Sequence, residues 1–198
     1  TKPCSDADNW IASTDPSGGT PGRQNSVFSN APDTTPPVAR AVVVLNPTTL
    51  QVEFSEAIDT LTAGAGRFAV APALVVSGVV YHPDSLRFVT LTLAAPLAIG
   101  TRYTLTINGV TDCSGNVAPT PTVLPFGLGD VPGLYDVLIT EILADESPSQ
   151  NIFREFIEIH NPDPARVLSL AGVTLRKGGR GSAAGVPDGA TLNPGEYA

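Results

Sequence analysis

From residue 38 to residue 128 apolar and polar positions alternate in short runs. Leu50, Val52 and Phe54 are interleaved with polar partners, as are Val89, Leu91 and Leu93, and Tyr103, Leu105 and Ile107. Period-two spacing puts each trio on one face of an extended strand. Val42–Leu45 and Leu74–Tyr81 are continuous apolar runs, and Phe68 and Val70 follow a Gly-rich turn. Thr111–Asn116 is loop chemistry, in which Asp and Asn bond local backbone and Gly takes positive φ. Six or seven short strands at this spacing predict an antiparallel sandwich. The same grammar returns after residue 134, in Val137–Leu143, Arg154–Asn161, Leu168–Leu175 and Pro187–Tyr197. Ala144–Asn151 is expected to be a polar hairpin loop and Lys177–Gly185 a Gly-rich basic loop. No helical period lasts beyond about two turns.

Residues 1–37 are polar and broken. Ser29–Pro37 ends in paired prolines, which stiffen a linker and forbid helix. Composition supports the all-β reading: 42% of residues are hydrophobic, and 19 Gly with 19 Pro supply turns. The net charge of −8 comes without any Lys/Arg cluster, which argues against nucleic acid as a partner. No apolar run approaches the roughly 18 residues of a membrane span, so no membrane insertion is expected. The chain contains no Met and opens without a signal-peptide pattern. It is therefore expected to be processed or cut from a longer protein.

Specific wording narrows the class. Asp33–Pro37, Leu50–Asp59, Val89–Leu93 and Gly100–Asn116 together resemble the bacterial Ig-like domains of surface-layer and adhesin-type proteins. Ile139–Ile142 within the first C-terminal run, Glu155–Asn161, Leu168–Leu175 and Leu192–Tyr197 resemble the opening half of a lamin-tail domain, a small Ig-like sandwich. Asn9-Trp10 and Gly18–Asn25 resemble that family's final strand and exit. The resemblances imply an all-β chain: an immunoglobulin-like β-sandwich plus a partial lamin-tail (Ig-like) β-sandwich. The expected segments are 1–28, the tail of a lamin-tail-like module; 29–37, a linker; 38–128, a bacterial Ig-like domain; and 134–198, the opening half of a lamin-tail domain.

Candidate chemistry is sparse. His82 and His160 are the only histidines, and no Ser or Cys lies in a nucleophile-elbow setting, so no enzyme is expected and both imidazoles are expected at the surface. Glu141, Glu155 and Glu158 are expected to face solvent rather than a glycosidase cleft. Trp10 is expected to anchor a core or junction rather than a sugar. Calcium is the one candidate cofactor, because it takes six to eight oxygens from Asp, Asn, Glu and carbonyls. Its candidate ligands are Asp33, Glu56, Asp59, Asp112 and Asn116, although turn capping explains the same residues. Cys4 and Cys113 are the only cysteines. In the secreted context that the resemblance implies, they are candidates for one disulfide across a module junction, or for pairing with cysteines elsewhere.

The expected function is a non-catalytic structural or adhesive segment of a secreted, modular bacterial surface protein, a fibre or stalk component. The alternative is an accessory carbohydrate- or calcium-binding region of a secreted hydrolase. The expected partners are other modules or copies of the same protein, including a head-to-tail homo-oligomer, at the cell surface.

Overall fold

A computed structural model describes residues 11–29, 31–143, 156–175, 184–186 and 190–198. Trp10, Cys4, Glu155 and the expected loop at 144–151 lie outside the described residues. By compactness the chain divides into two units, residues 1–94 with 105–124, and residues 95–104 with 125–198.

The chain is all β, with one short 3₁₀ turn at Ala65–Arg67 among the described residues. The first sheet has the order β1 (Ala39–Asn46), β2 (Thr49–Phe54), β5 (Phe88–Leu93), β4 (Val76–Tyr81). The other main sheet has the order β3 (Phe68–Ala71), β6 (Arg102–Ile107), β7 (Thr122–Gly127). Antiparallel register sets Leu50 opposite Leu91 and Val52 opposite Val89. Those four side chains and Phe54 are fully buried, as is Leu105 in β6. Each such burial is worth about 1.5–3 kcal/mol. The alternating trios thus became the inward faces of an immunoglobulin-like β-sandwich. Edge strand β1 is less covered than its apolar run suggests, with Val43 and Leu45 about half exposed. Its pairing with β2 is also irregular near both ends, which blunts an open edge.

In the second unit β8 (Leu138–Leu143) pairs with β9 (Phe156–His160). The pairing slips between Ile139 and Glu141, a bulge at Thr140. The slip places Ile139 opposite Ile159 and Ile142 opposite Ile157, so four isoleucines share one face, while Glu141 opposes Glu158 on the other. Ile159 enters a small core with Leu170 and Leu192. Ile139 and Ile142 remain more than half exposed. The far side of β9 is bonded by the chain's last residues: Ile159 N donates to Ala198 O at 2.8 Å, and Ala198 N donates to Ile159 O at 2.9 Å. Short pairs β10 (Leu168–Ser169) with β13 (Thr191–Leu192), and β11 (Thr174–Leu175) with β12 (Ala184–Gly185), complete the described strands. Ala184 and Gly185 are therefore strand residues rather than the end of a loop, because backbone pairing with β11 overrides the local Gly-rich composition. Gly129 lies where backbone passes backbone: a Cβ there would be 2.5 Å from Ser169 N.

Candidate functional site

Three chain segments bring carboxylates together in the first unit. Asp33 comes from the proline-rich stretch before β1, Glu56 follows β2, and Asp112 lies in the loop after β6. One ligand oxygen of each lies within 4.8 Å of the others. Local turn chemistry fixes two of them. Asp33 Oδ1 accepts a bond from Thr35 N at 3.0 Å. Asp112, 2% exposed, accepts bonds through Oδ1 from Ser114 N and Asn116 N, each at 2.8 Å. Gly115, at φ +91°, closes this loop in a conformation that side chains rarely adopt. Asn116 Nδ2 then donates to Asp112 Oδ2 at 2.7 Å and to the carbonyls of Asp33 at 3.1 Å and Thr35 at 3.3 Å. The amide thus ties the pre-β1 stretch to the 112–116 loop.

Of the five expected ligands, the structure groups three carboxylates and bonds the Asn116 amide to one of them, Asp112, and to the backbone carbonyl of Asp33. Asp59 is not in the group; its Oδ1 accepts from Leu61 N at 2.9 Å and caps a turn. Among the described residues no Lys or Arg pairs with the trio. Desolvation, followed by repulsion from Asp33 and Asp112, raises the pKa of Glu56 above its ordinary 4.5. Clustered hard oxygens without a cationic side chain are chemically suited to a divalent cation. Much of the capacity of Asp112 is already committed to its own loop.

A second carboxylate group, which the sequence did not signal, is built around Arg166. The guanidinium donates from Nε to Asp163 at 2.8 Å, and pairs with Asp136 at 2.9 Å and Asp130 at 3.5 Å. Asp163 Oδ1 also accepts from Ala165 N and Arg166 N. Bonds from Arg166, first through its side chain and then its backbone, with that from Ala165 N, hold the Asp163 carboxyl down at about 2. Asp136 is lowered first by its bond from Gly133 N and then by Arg166. Nearby, fully buried Asn161 donates to the carbonyls of Arg166, Leu192 and Asn193. The only local hint in the sequence was an Asp and an Arg three residues apart, a spacing common on ordinary turns.

The histidines are half-buried and bonded rather than free surface groups. His82 Nε2 lies 2.9 Å from Thr90 Oγ1, and the ring of His160 stacks on Tyr197 at 4.0 Å. Tertiary packing covers strand ends that composition marks only as polar. Glu141 is exposed, Glu158 is partly so and is bonded by the Thr140 hydroxyl at 2.6 Å, and Glu155 lies outside the described residues. Cys113 is disulfide-bonded; Cys4, its expected partner, lies outside the described residues. No helix among the described residues is long and apolar enough to cross a membrane.

Residues 31–127, a little under half of the chain, match the family model described as "Bacterial Ig-like domain". This agrees with the Ig-like part of the resemblance drawn from the motifs. No curated protein matches the chain. Among solved structures it is similar to the N-terminal part of the bacterial S-layer protein SbsC, at 22% identity and a TM-score of 0.45, covering 52% of this chain and 26% of that one. It is similar also to the S-layer protein rSbsC(31-844), at 23% identity and a TM-score of 0.44, covering 56% of this chain and 16% of that one. The chain thus spans about a quarter of the first of these structures and about a sixth of the second.

Proposed function

We propose that this chain is a non-catalytic structural or adhesive segment of a secreted, modular bacterial surface protein, one component of a stalk or fibre. The observation that carries the reading is the bacterial Ig-like match over 31–127, joined to an all-β chain whose buried positions build sandwich faces. On this reading the Ig-like domain spans 38–128 after a linker at 29–37, and the flanks, 1–28 and 134–198, are parts of lamin-tail modules. The exposed isoleucines of β8 support a second part of the reading: 134–198 meets another module or a copy of the same protein, head to tail through residues 1–28. In the source bacterium, an antibody to this segment should label intact cells, and external protease should remove the label. Labelling that needs lysed cells would overturn the reading. Turnover of an ester, peptide or glycoside that vanishes on changing His82 or Glu158 would overturn its non-catalytic part.

The grouping of Asp33, Glu56 and Asp112 favours a second reading, an accessory region that takes calcium. Calcium should then raise the thermal midpoint of the full chain, and Glu56→Gln with Asp33→Asn should remove the rise. An unchanged midpoint at millimolar calcium would sink this reading and leave the structural one standing.

A further inference from the structure

The turn after β6 carries the sequence Asn108-Gly109, the one Asn-Gly pair in the chain. Asn108 is exposed, and among the described residues its side-chain amide forms no hydrogen bond. Its own backbone N–H donates to Arg67 O at 3.0 Å, which fixes the residue against the 3₁₀ turn. Gly109 follows at φ +61°, and its N–H likewise has no acceptor among the described residues. The Arg67 guanidinium lies over this glycine: an ideal Cβ on Gly109 would be 2.7 Å from Nη1. Arg67 is held there by its Nε, which donates to Thr62 O at 3.2 Å.

These features favour spontaneous deamidation. An asparagine reacts when the next backbone nitrogen reaches its side-chain carbonyl carbon, and glycine offers least hindrance to that approach. A cation held close to Gly109 stabilises the negative charge that develops on the attacking nitrogen and on the tetrahedral oxygen. We infer that Asn108-Gly109 is a self-modification site, converting to aspartyl and isoaspartyl residues with the Arg67 guanidinium promoting ring closure. The Gly109 nitrogen loses its proton to water and forms a bond to Asn108 Cγ. The Cγ–Nδ2 bond then breaks and the amide leaves as ammonia, giving a five-membered imide. Water opens either imide C–N bond, leaving a carboxylate on the residue that precedes the arginine-covered glycine. No oxidant or reductant enters. The change adds one negative charge at a turn that already holds a guanidinium.

The other described asparagines lack this arrangement. Asn46, Asn161 and Asn193 precede proline, which has no N–H to attack with. The Asn116 amide is committed to three acceptors, and Asn25 Oδ1 accepts from Val27 N. The full chain should be held at mildly alkaline pH and mapped by peptide mass spectrometry over time. Asn108 should convert first, ahead of Asn25 and Asn116, giving both aspartyl and isoaspartyl peptides. Arg67→Gln should slow conversion at Asn108 by roughly tenfold, and in concentrated urea the two chains should convert at one rate. That last comparison separates a folded-state effect of Arg67 from an altered peptide. An intact Asn108 while Asn25 or Asn116 converts would overturn the site. Equal rates for the two folded chains would overturn the role of Arg67.

Discussion

Asp33, Glu56 and Asp112 in the first unit and Asp130, Asp136 and Asp163 in the second are both trios of carboxylates. Among the described residues only the second has an arginine at bonding distance. The consequences have opposite signs. Around Arg166, the Asp136 and Asp163 carboxyls are held below their ordinary value, so their ionisation favours the folded state. In the first trio Glu56 is raised, so ionisation of that group disfavours it. What holds the first group together is the surrounding backbone and the Asn116 amide. Clustered acids can therefore be a strut or a strain, according to whether the fold supplies a cation.

The largest expected break concerns what holds the first trio's loop in place. Cys113 adjoins Asp112 and is disulfide-bonded, and pairing with Cys4 would close a loop of more than a hundred residues. Reduction, or Cys113→Ser, should cost ~4–5 kcal/mol in the chain-entropy account. The checks are the denaturant midpoint with and without reductant, and a peptide map under non-reducing conditions for the Cys4–Cys113 link. Next comes Asp112→Ala, which removes the buried acceptor of two backbone N–H groups and of the Asn116 amide in a partly exposed loop. A loss of about 2–4 kcal/mol is expected in urea unfolding, with less for Asp112→Asn, which keeps one acceptor.

A smaller, salt-sensitive loss is expected for Arg166→Gln, which leaves Asp130, Asp136 and Asp163 facing each other uncompensated. Because these groups are open to solvent, added salt should narrow the gap to the parent chain. The smallest effect has the opposite direction. Glu56→Gln should stabilise the chain at neutral pH by on the order of a few tenths of a kcal/mol, seen as a higher thermal midpoint without calcium.

pH separates the two trios most cleanly. The folded pKa of Glu56 is raised, so its relative stabilisation is full below 4.5 and is lost as pH rises through the folded value. The folded pKa of Asp163 is depressed, so its contribution is present above 3.8 and is lost as pH falls from there through about 2. Midpoints measured from neutral pH downward should show a gain from Glu56 first and a loss from the Arg166 group later. Glu56→Gln should erase the first change and Arg166→Gln should blunt the second. A parent-like profile in Glu56→Gln would contradict the desolvation and repulsion assigned to Glu56.

Much of the fold was legible because strand formation is written locally. Leu50, Val52 and Phe54, and Val89, Leu91 and Leu93, needed no partner to declare one apolar face each, and all six are buried. The candidate site was legible in part. Asp33, Glu56 and Asp112 could be picked as oxygen donors, but Asp59 looked equal to them and instead caps its own turn. Arg166 gave no such signal, since two of its partners lie 30 and 36 residues away in the chain.

The sequence by itself determined the all-β character, the inward positions of the first sandwich and the turn at 111–116, because these follow from side-chain period and local backbone preference. Tertiary structure decided which of many similar carboxylates became neighbours, since electrostatic environment depends on distances between segments remote in the chain. It decided likewise that Arg67 would lie over Gly109, and that a bulge at Thr140 would gather four isoleucines on one face. Those outcomes come from register and packing, which no local pattern of residue types contains.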